Sequence, residues 1–399
     1  MNKPRRGNRD LMRAMNRNLL LNMIRTQGPL SRTQLTALSG LSAGAVSQIA
    51  GDLIESNWIT EAGESDSTGG RRQVLLRLNP TAAYVVGLKL MEDRAVCAVT
   101  DLEATVLHYA RRALPATQKP EGIAQALAQI VIDALAQAGV QQDQVRGVGI
   151  GLAGVIDGDT GIVHYSPFFH WKDVPLARLV AADLRLPVYL ENDVNTLTIT
   201  EQLFGLGHDL SSFAVVTIGR GIGMGVVINH QLYRGHKGGV GELGHINVQR
   251  DGPLCSCGRR GCLEALAADE AVVREAQGAF DTPMTIDLVV QAAQQGHKAA
   301  CRALAHSGHY LGLGLAVVVN LFCPELIIIS GEGVAAGPCR LDPMFDMLRA
   351  NTFNGLLDGI RIQVKPTDDL AWARGAAGLV VGKLFASPLV DSVESPAAP

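Results

Sequence analysis

The stretch Gly241-Glu-Leu-Gly-His245, followed by Cys255-Ser-Cys257-Gly-Arg-Arg-Gly-Cys262-Leu-Glu264, decides how the rest of the chain is read. One histidine and three cysteines fall within 18 residues, and the Cys-x-Cys step is too tight for an ordinary disulfide. A tetrahedral Cys3His site for a structural zinc ion (Zn2+) is the economical reading, with His245, Cys255, Cys257 and Cys262 as ligands. A metal-tied loop is stiff, so Glu242 and Glu264 on it can be held toward one pocket as acceptors for ligand hydroxyls. The alternative is three free buried cysteines and a core histidine, but glycines and polar residues surround them and a hydrophobic core does not ask for that spacing.

Gly-Glu-Leu-Gly-His with Cys-x-Cys-Gly-x-x-Gly-Cys-x-Glu resembles the signature of the ROK family, which contains bacterial sugar kinases and sugar-responsive transcriptional repressors. The resemblance extends over about residues 81–385 and leaves the branch to be decided.

At 399 residues the chain exceeds one ordinary domain, and 47% hydrophobic against 18% charged residues supplies material for packed cores. No run of 18 or more apolar residues occurs, and the basic, polar N-terminus lacks the apolar core of a secretory signal; a cytoplasmic protein without a membrane partner is expected. Seven cysteines, three of them clustered, suit a reducing compartment and a metal better than a disulfide framework. The net charge of −3 hides an asymmetry: residues 1–80 hold 11 Lys+Arg against 6 Asp+Glu, or +5, leaving 24 against 32, or −8, for the remainder. A basic head on an acidic body points to a polyanion as the head's partner.

Residues 1–80 read as a winged helix-turn-helix. Asn8 to Gln27 carries Leu11, Met15, Leu19 and Met23 at helical spacing, and Gly28-Pro29 stops it. Ser31 can cap a second helix that closes at Gly40, and Ser42 a third. That third helix turns Val46, Ile49, Leu53 and Ile54 inward and leaves Ser42, Ala43, Gly44, Ser47 and Gln48 outward, a small hydrogen-bonding face suited to base edges in the major groove. Trp58–Glu61 and Gln73–Leu78 read as wing strands, and Arg71 and Arg72 on the Gly-rich tip between them suit a narrow A·T minor groove. ROK repressors resemble this layout.

Beyond it the pattern is α/β. Tyr84–Leu90, Arg94–Thr100 and Thr105–Arg111 read as strands, Glu121–Ala138 as an amphipathic helix and Gly147–Leu152 as a buried strand. Strands, helix and strand occurring twice resemble the duplicated ribonuclease H-like (actin/hexokinase) two-lobe body of ROK proteins. The expected division is a head at 1–80, a smaller lobe at 81–190, a larger lobe with zinc knuckle and sugar site at 191–385, and a disordered tail at 386–399.

The resemblance also says where the kinase pattern is broken. ROK kinases carry an Asp-x-Gly-Gly-Thr loop after the first strand, whose carboxylate serves magnesium and whose glycines cradle phosphate; the matching residues here are Lys89, Leu90, Met91, Glu92 and Asp93. In the second phosphate loop, Gly219-Arg220-Gly221 stands where kinases have Gly-Thr-Gly, and Glu332 interrupts a later glycine run. The sugar side is better kept: the resemblance implies sugar contacts from Gly154, Asn192, Asp193, Glu242, His245 and Glu264. Ser166 adds a hydroxyl, and Trp171 or Phe168 either covers the sugar or belongs to the core. Asp193 matches the kinase base, and is expected here to accept a ligand hydrogen bond instead.

The expectation is a non-enzymatic repressor, a homodimer or homotetramer on double-stranded operator DNA, controlled by a sugar or sugar derivative. The competing readings are an active or bifunctional ATP-dependent sugar kinase, and a repressor controlled by a protein partner. Turnover with ATP, Mg2+ and a hexose would favour the first, and indifference of DNA binding to every sugar the second.

Overall fold

The computed structural model describes residues 9–64, 72–116 and 119–386. Arg71 and residues 387–399 of the expected tail lie outside them. The head runs α1 (Arg9–Gln27), β1 (Leu30–Ser31), α2 (Arg32–Ser39), α3 (Ala43–Glu55), β2 (Ile59–Glu64) and β3 (Val74–Leu78). Ser31 and Gln34 form a reciprocal capping box at the start of α2, with the Ser31 N–H donating to Gln34 Oε1 at 2.8 Å. Gly40 ends α2 at φ 69, in the left-handed region that glycine enters freely, and the Ser42 hydroxyl caps α3. The strands pair antiparallel in the order β1-β3-β2.

Val46, Ile49 and Leu53 are buried as expected, while Ile54 is only half-buried. Of the α1 stripe, Leu11, Met15 and Met23 are half-buried and Leu19 stays 39% exposed, while Leu20, Leu21 and Ile24 form the buried face. The helix packs against both α3 and β3, which turns its apolar arc away from the strict i, i+4 row through Leu19.

The body contains two sheets of one topology. The first uses β4 (Tyr84–Leu90), β5 (Arg94–Thr100), β6 (Val106–Ala113) and β7 (Val145–Leu152), with α4 (Pro120–Ala138) between the last two. A small antiparallel sheet follows, β8 (Val155–Asp157), β9 (Ile162–Ser166) and β10 (Trp171–Val174), then α5 (Leu176–Leu184) and β11 (Val188–Asn192), which completes the order β11-β7-β4-β5-β6. After α6 (Asp193–Phe204), the second sheet repeats the pattern with β12 (Phe213–Ile218), β13 (Ile222–Ile228), β14 (Gln231–Leu232), β15 (Leu326–Ser330) and β16 (Arg361–Val364), ordered β14-β13-β12-β15-β16. In both, the first strand pairs antiparallel with the second and parallel with the fourth.

Between β14 and β15 lie α7 (Leu263–Ala267), α8 (Asp269–Ala276), α9 (Ile286–Gln294) and α10 (Lys298–Phe322), and α11 (Pro338–Asn351) precedes β16. By length and composition α10 could cross a membrane, but it is a core helix: Gly308 and Gly312 let α11 approach it closely, and Leu311, Leu315 and Val319 are buried. The last helix, α12 (Asp369–Leu384), departs from the expected division at residue 190. It returns to the first sheet, across β4, β5 and β7, and against α6. The contact is backbone-close, since a Cβ on Gly149 would lie 1.9 Å from the Ala376 carbonyl oxygen. Small residues on both sides, Ala373, Ala376 and Ala377 of α12 against Gly87 and Gly149, are the means of that approach.

Candidate functional site

The knuckle gathers its four residues. The ligand atoms of His245, Cys255, Cys257 and Cys262 all lie within 4.8 Å of one another. The Cys257 and Cys262 sulfurs are 3.7 Å apart, and Cys255 Sγ is 3.6 Å from His245 Nδ1. A tetrahedral zinc with bonds of about 2.3 Å to sulfur and about 2.0 Å to nitrogen has edges of about 3.8 and 3.5 Å, so the donor set fits such an ion. Although burial opposes it, the Arg259 N–H and the thiols of Cys255 and Cys262 lower the Cys257 thiol, while burial and the thiols of Cys257 and Cys255 push Cys262 up to about 12.

His245 turns its other ring nitrogen, Nε2, to Glu242 Oε2 at 3.8 Å. Glu242 keeps 46% of its side chain open to solvent, yet protein atoms crowd its carboxyl on the inner side. That desolvation raises its pKa, with Glu264 and Asp193 adding to the effect against the pull of His245. Glu264, in the first turn of α7, accepts from the Ile222 N–H at 3.2 Å. The three carboxylates therefore lie close together where the two lobes meet, Asp193 beside Lys89 of the first sheet and Glu264 beside Ile222 of the second.

Gly154 and Ser166 complete the far wall. A Cβ on Gly154, at φ 129, would meet the Tyr165 carbonyl oxygen at 2.1 Å, so only glycine fits. The Ser166 hydroxyl is buried and has no hydrogen-bond partner in the structure. Such a group is costly unless something else satisfies it. Asn192 braces the site: Oδ1 caps α6 through the Val194 and Asn195 N–H groups, and Nδ2 donates to the Gly154 carbonyl oxygen at 3.2 Å. Trp171 belongs to the core, 4% exposed and stacked on Phe169 at 4.4 Å, and is no sugar cover.

The broken kinase positions all have partners. Lys89, 7% exposed, sits in register with Gly151 on β7 and sets its ammonium on the Asp193 carboxylate and 4.3 Å over the Trp372 ring. Asp193 also accepts from its neighbour's N–H at Val194, so its expected free acceptor role does not hold in this state. Arg220 pairs with Glu92 at 3.0 Å and lies 4.4 Å above Phe168. Trp372 Nε1 donates to Glu332 Oε1 at 3.2 Å. Sequence reading flagged Lys89 and Glu332 as departures but missed what they touch, and missed Glu191 altogether. Glu191 is fully buried and takes Arg234 at 2.6 Å and Asn195 at 3.0 Å. The only hint was an acid at the end of an apolar strand.

On the head, Ser42, Ala43, Gly44, Ser47 and Gln48 are exposed along the start of α3, and Arg72 is exposed beside Glu64 at 3.6 Å. The head is joined to the end of α12. Phe385 meets Trp58 edge-on at 6.3 Å, Arg25 lies 5.1 Å over the Phe385 ring, and Asn22 Nδ2 donates to the Phe385 carbonyl oxygen at 2.7 Å.

These elements define a two-lobe actin/hexokinase-like body bearing an N-terminal helical unit with a small antiparallel sheet. The ROK family model matches residues 85–383, and the chain belongs to the ROK family. The xylose repressor of Bacillus subtilis is 30% identical over 370 residues, covering 93% of this chain and 96% of that one. A solved ROK family transcriptional regulator, a homologue of the E. coli MLC protein, shares the fold with a TM-score of 0.84 at 24% identity, over 96% of this chain and 99% of that one. The ROK hexokinase of Thermus thermophilus is 30% identical with a TM-score of 0.63, and 98% of it covers 74% of this chain. The hexokinase thus matches a body-sized share, and the regulators match nearly the whole length.

Proposed function

We propose that the chain is a cytoplasmic DNA-binding transcriptional regulator, a repressor, whose operator affinity is set by a sugar in the cleft between the lobes. The head acts as a winged helix-turn-helix in a homodimer or homotetramer, with Ser42, Ala43, Gly44, Ser47 and Gln48 toward base edges and Arg71 and Arg72 toward the minor groove. Glu242, His245, Glu264 and the unpartnered Ser166 hydroxyl bind sugar hydroxyls, and Gly154, braced by Asn192, admits the ring. Zinc on His245, Cys255, Cys257 and Cys262 fixes the loop that aims Glu242 and Glu264. At 1.5 Å per residue the stretch of α12 from Trp372 in the cleft to Phe385 at the head spans about 20 Å, and it carries the change between them.

The observation that carries this reading over a kinase is the Lys89 ammonium on Asp193. A carboxylate already neutralised by a buried lysine is a poor base, and a cation there occupies the place of a metal. A cavity of about 150 Å³ lined by Asp287 and Glu332 adds repulsion against nucleotide phosphates.

The test is a thermal-shift panel of monosaccharides and sugar phosphates on the full chain, followed by DNA binding with the sugar that shifts melting. Glu242→Ala is expected to abolish the sugar response while DNA binding persists. A coupled assay with ATP and Mg2+ runs beside it; turnover of a hexose that Asp193→Asn abolishes would overturn the reading.

A further inference from the structure

The positions that depart from the kinase pattern touch one another across the cleft. Glu92 lies in the β4–β5 turn of the first lobe and Arg220 in the β12–β13 turn of the second, and their ion pair of 3.0 Å spans the mouth. Arg220 is also stacked at 4.4 Å on Phe168, in the β9–β10 turn of the first lobe. Deeper in, Trp372 from α12 receives Lys89 on its face at 4.3 Å and reaches Glu332 of the second lobe at 3.2 Å. The Glu332 carboxylate in turn lies over Gly219, 2.8 Å from where a Cβ would stand. The three loops that stand where kinases hold phosphate are thus filled by side chains that meet one another, Arg220 on Glu92 and Glu332 on Trp372.

We propose that these side chains form a latch that closes the lobes on their ligand without a nucleotide, with Arg220 as the positioning residue that opens and shuts it. The two halves differ in solvent access. Lys89 and Asp193 keep 9% and 13% of their side chains exposed, so salt scarcely screens them and this half stays shut. Arg220 and Glu92 are 60% and 47% exposed, so their pair is weak, salt-sensitive and free to exchange. The stacking of the guanidinium on Phe168 gives the open arm a place to return to. A rim that opens while the base holds admits a small ligand without parting the lobes.

The latch encloses the sugar of the preceding section, but is tested without one. Hydrogen–deuterium exchange is followed on the full chain, loaded with zinc and free of sugar and nucleotide, over peptides spanning residues 89–94, 166–171 and 218–223, at low and high salt. In the wild type, exchange at all three segments should rise together with salt. Arg220→Thr should exchange roughly five-fold faster at low salt and lose the salt dependence. The charge swap Glu92→Arg with Arg220→Glu should restore salt-dependent protection, which a folding defect would not do. Salt-insensitive wild-type exchange, an unchanged Arg220→Thr, or a swap that restores nothing would each overturn the latch and leave the sugar reading standing. Failure of the sugar panel would leave the latch standing.

Discussion

Replacing Phe385 by alanine should separate the head from the body. Phe385 is 5% exposed and is held from three sides, by Trp58 edge-on, by Arg25 over its ring and by Asn22 on its carbonyl. Truncating a buried phenylalanine costs about 3–5 kcal/mol; the lower end applies at a junction that can partly collapse, and about 3 kcal/mol is roughly a hundredfold weaker coupling. Arg25, whose burial already pulls its guanidinium below the usual range, gains access to water and so offers no compensating hold. Differential scanning calorimetry of the full chain reads the outcome. The wild type should unfold with the head coupled to the body, whereas Phe385→Ala should show an earlier, small transition. A head of some 70 residues at about 0.7 kcal/mol per residue gives that transition roughly 50 kcal/mol. Leu321→Ala, at a side chain 71% exposed and remote from the junction, serves as the control and should change nothing beyond a few tenths of a kcal/mol. A Phe385→Ala protein that melts in one transition at the wild-type temperature would refute the junction as the link between cleft and head.

Cys257→Ser should lose about one equivalent of zinc and loosen the Glu242 loop; metal analysis showing full content would remove the site. Replacing both Arg71 and Arg72 by alanine should weaken operator binding and flatten its salt slope by up to about two phosphate equivalents, and an unchanged slope would count against the wing. Asp269→Ala strips the carboxylate from Arg340, which is fully buried and bonded to it at 2.9 Å, and should cost roughly 3 kcal/mol in denaturant melts. The Ala267 and Gly333 carbonyls still hold the guanidinium, so a loss below about 1 kcal/mol would show that they suffice.

Much of this was legible along the chain because it is made of short-range relations. The caps at Ser31 and Ser42 bond three residues ahead, the His and Cys residues of the candidate metal cluster span 18 positions, and the exposed face of α3 follows from helical period alone. The duplicated body was reached only through the resemblance, since periodicity shows an α/β class and no strand order. What escaped was the pairing of side chains far apart in sequence. Lys89 and Asp193 lie 104 residues apart and Glu92 and Arg220 lie 128 apart, so charge alone made each look like a lesion in a phosphate loop and not half of a contact. The chemistry of Asn192 allows a sugar contact, but the sequence does not show that it also caps α6 and holds the Gly154 carbonyl. Trp171 was held open between core and sugar, and its stacking on Phe169 places it in the core. The sequence by itself determined which elements form and which residue types could carry a metal, a sugar and DNA. Only the tertiary structure decided that α12 belongs to the first sheet and that its ends reach the cleft and the head, because burial and ion pairing between distant segments depend on how the sheets stack, which no local pattern encodes.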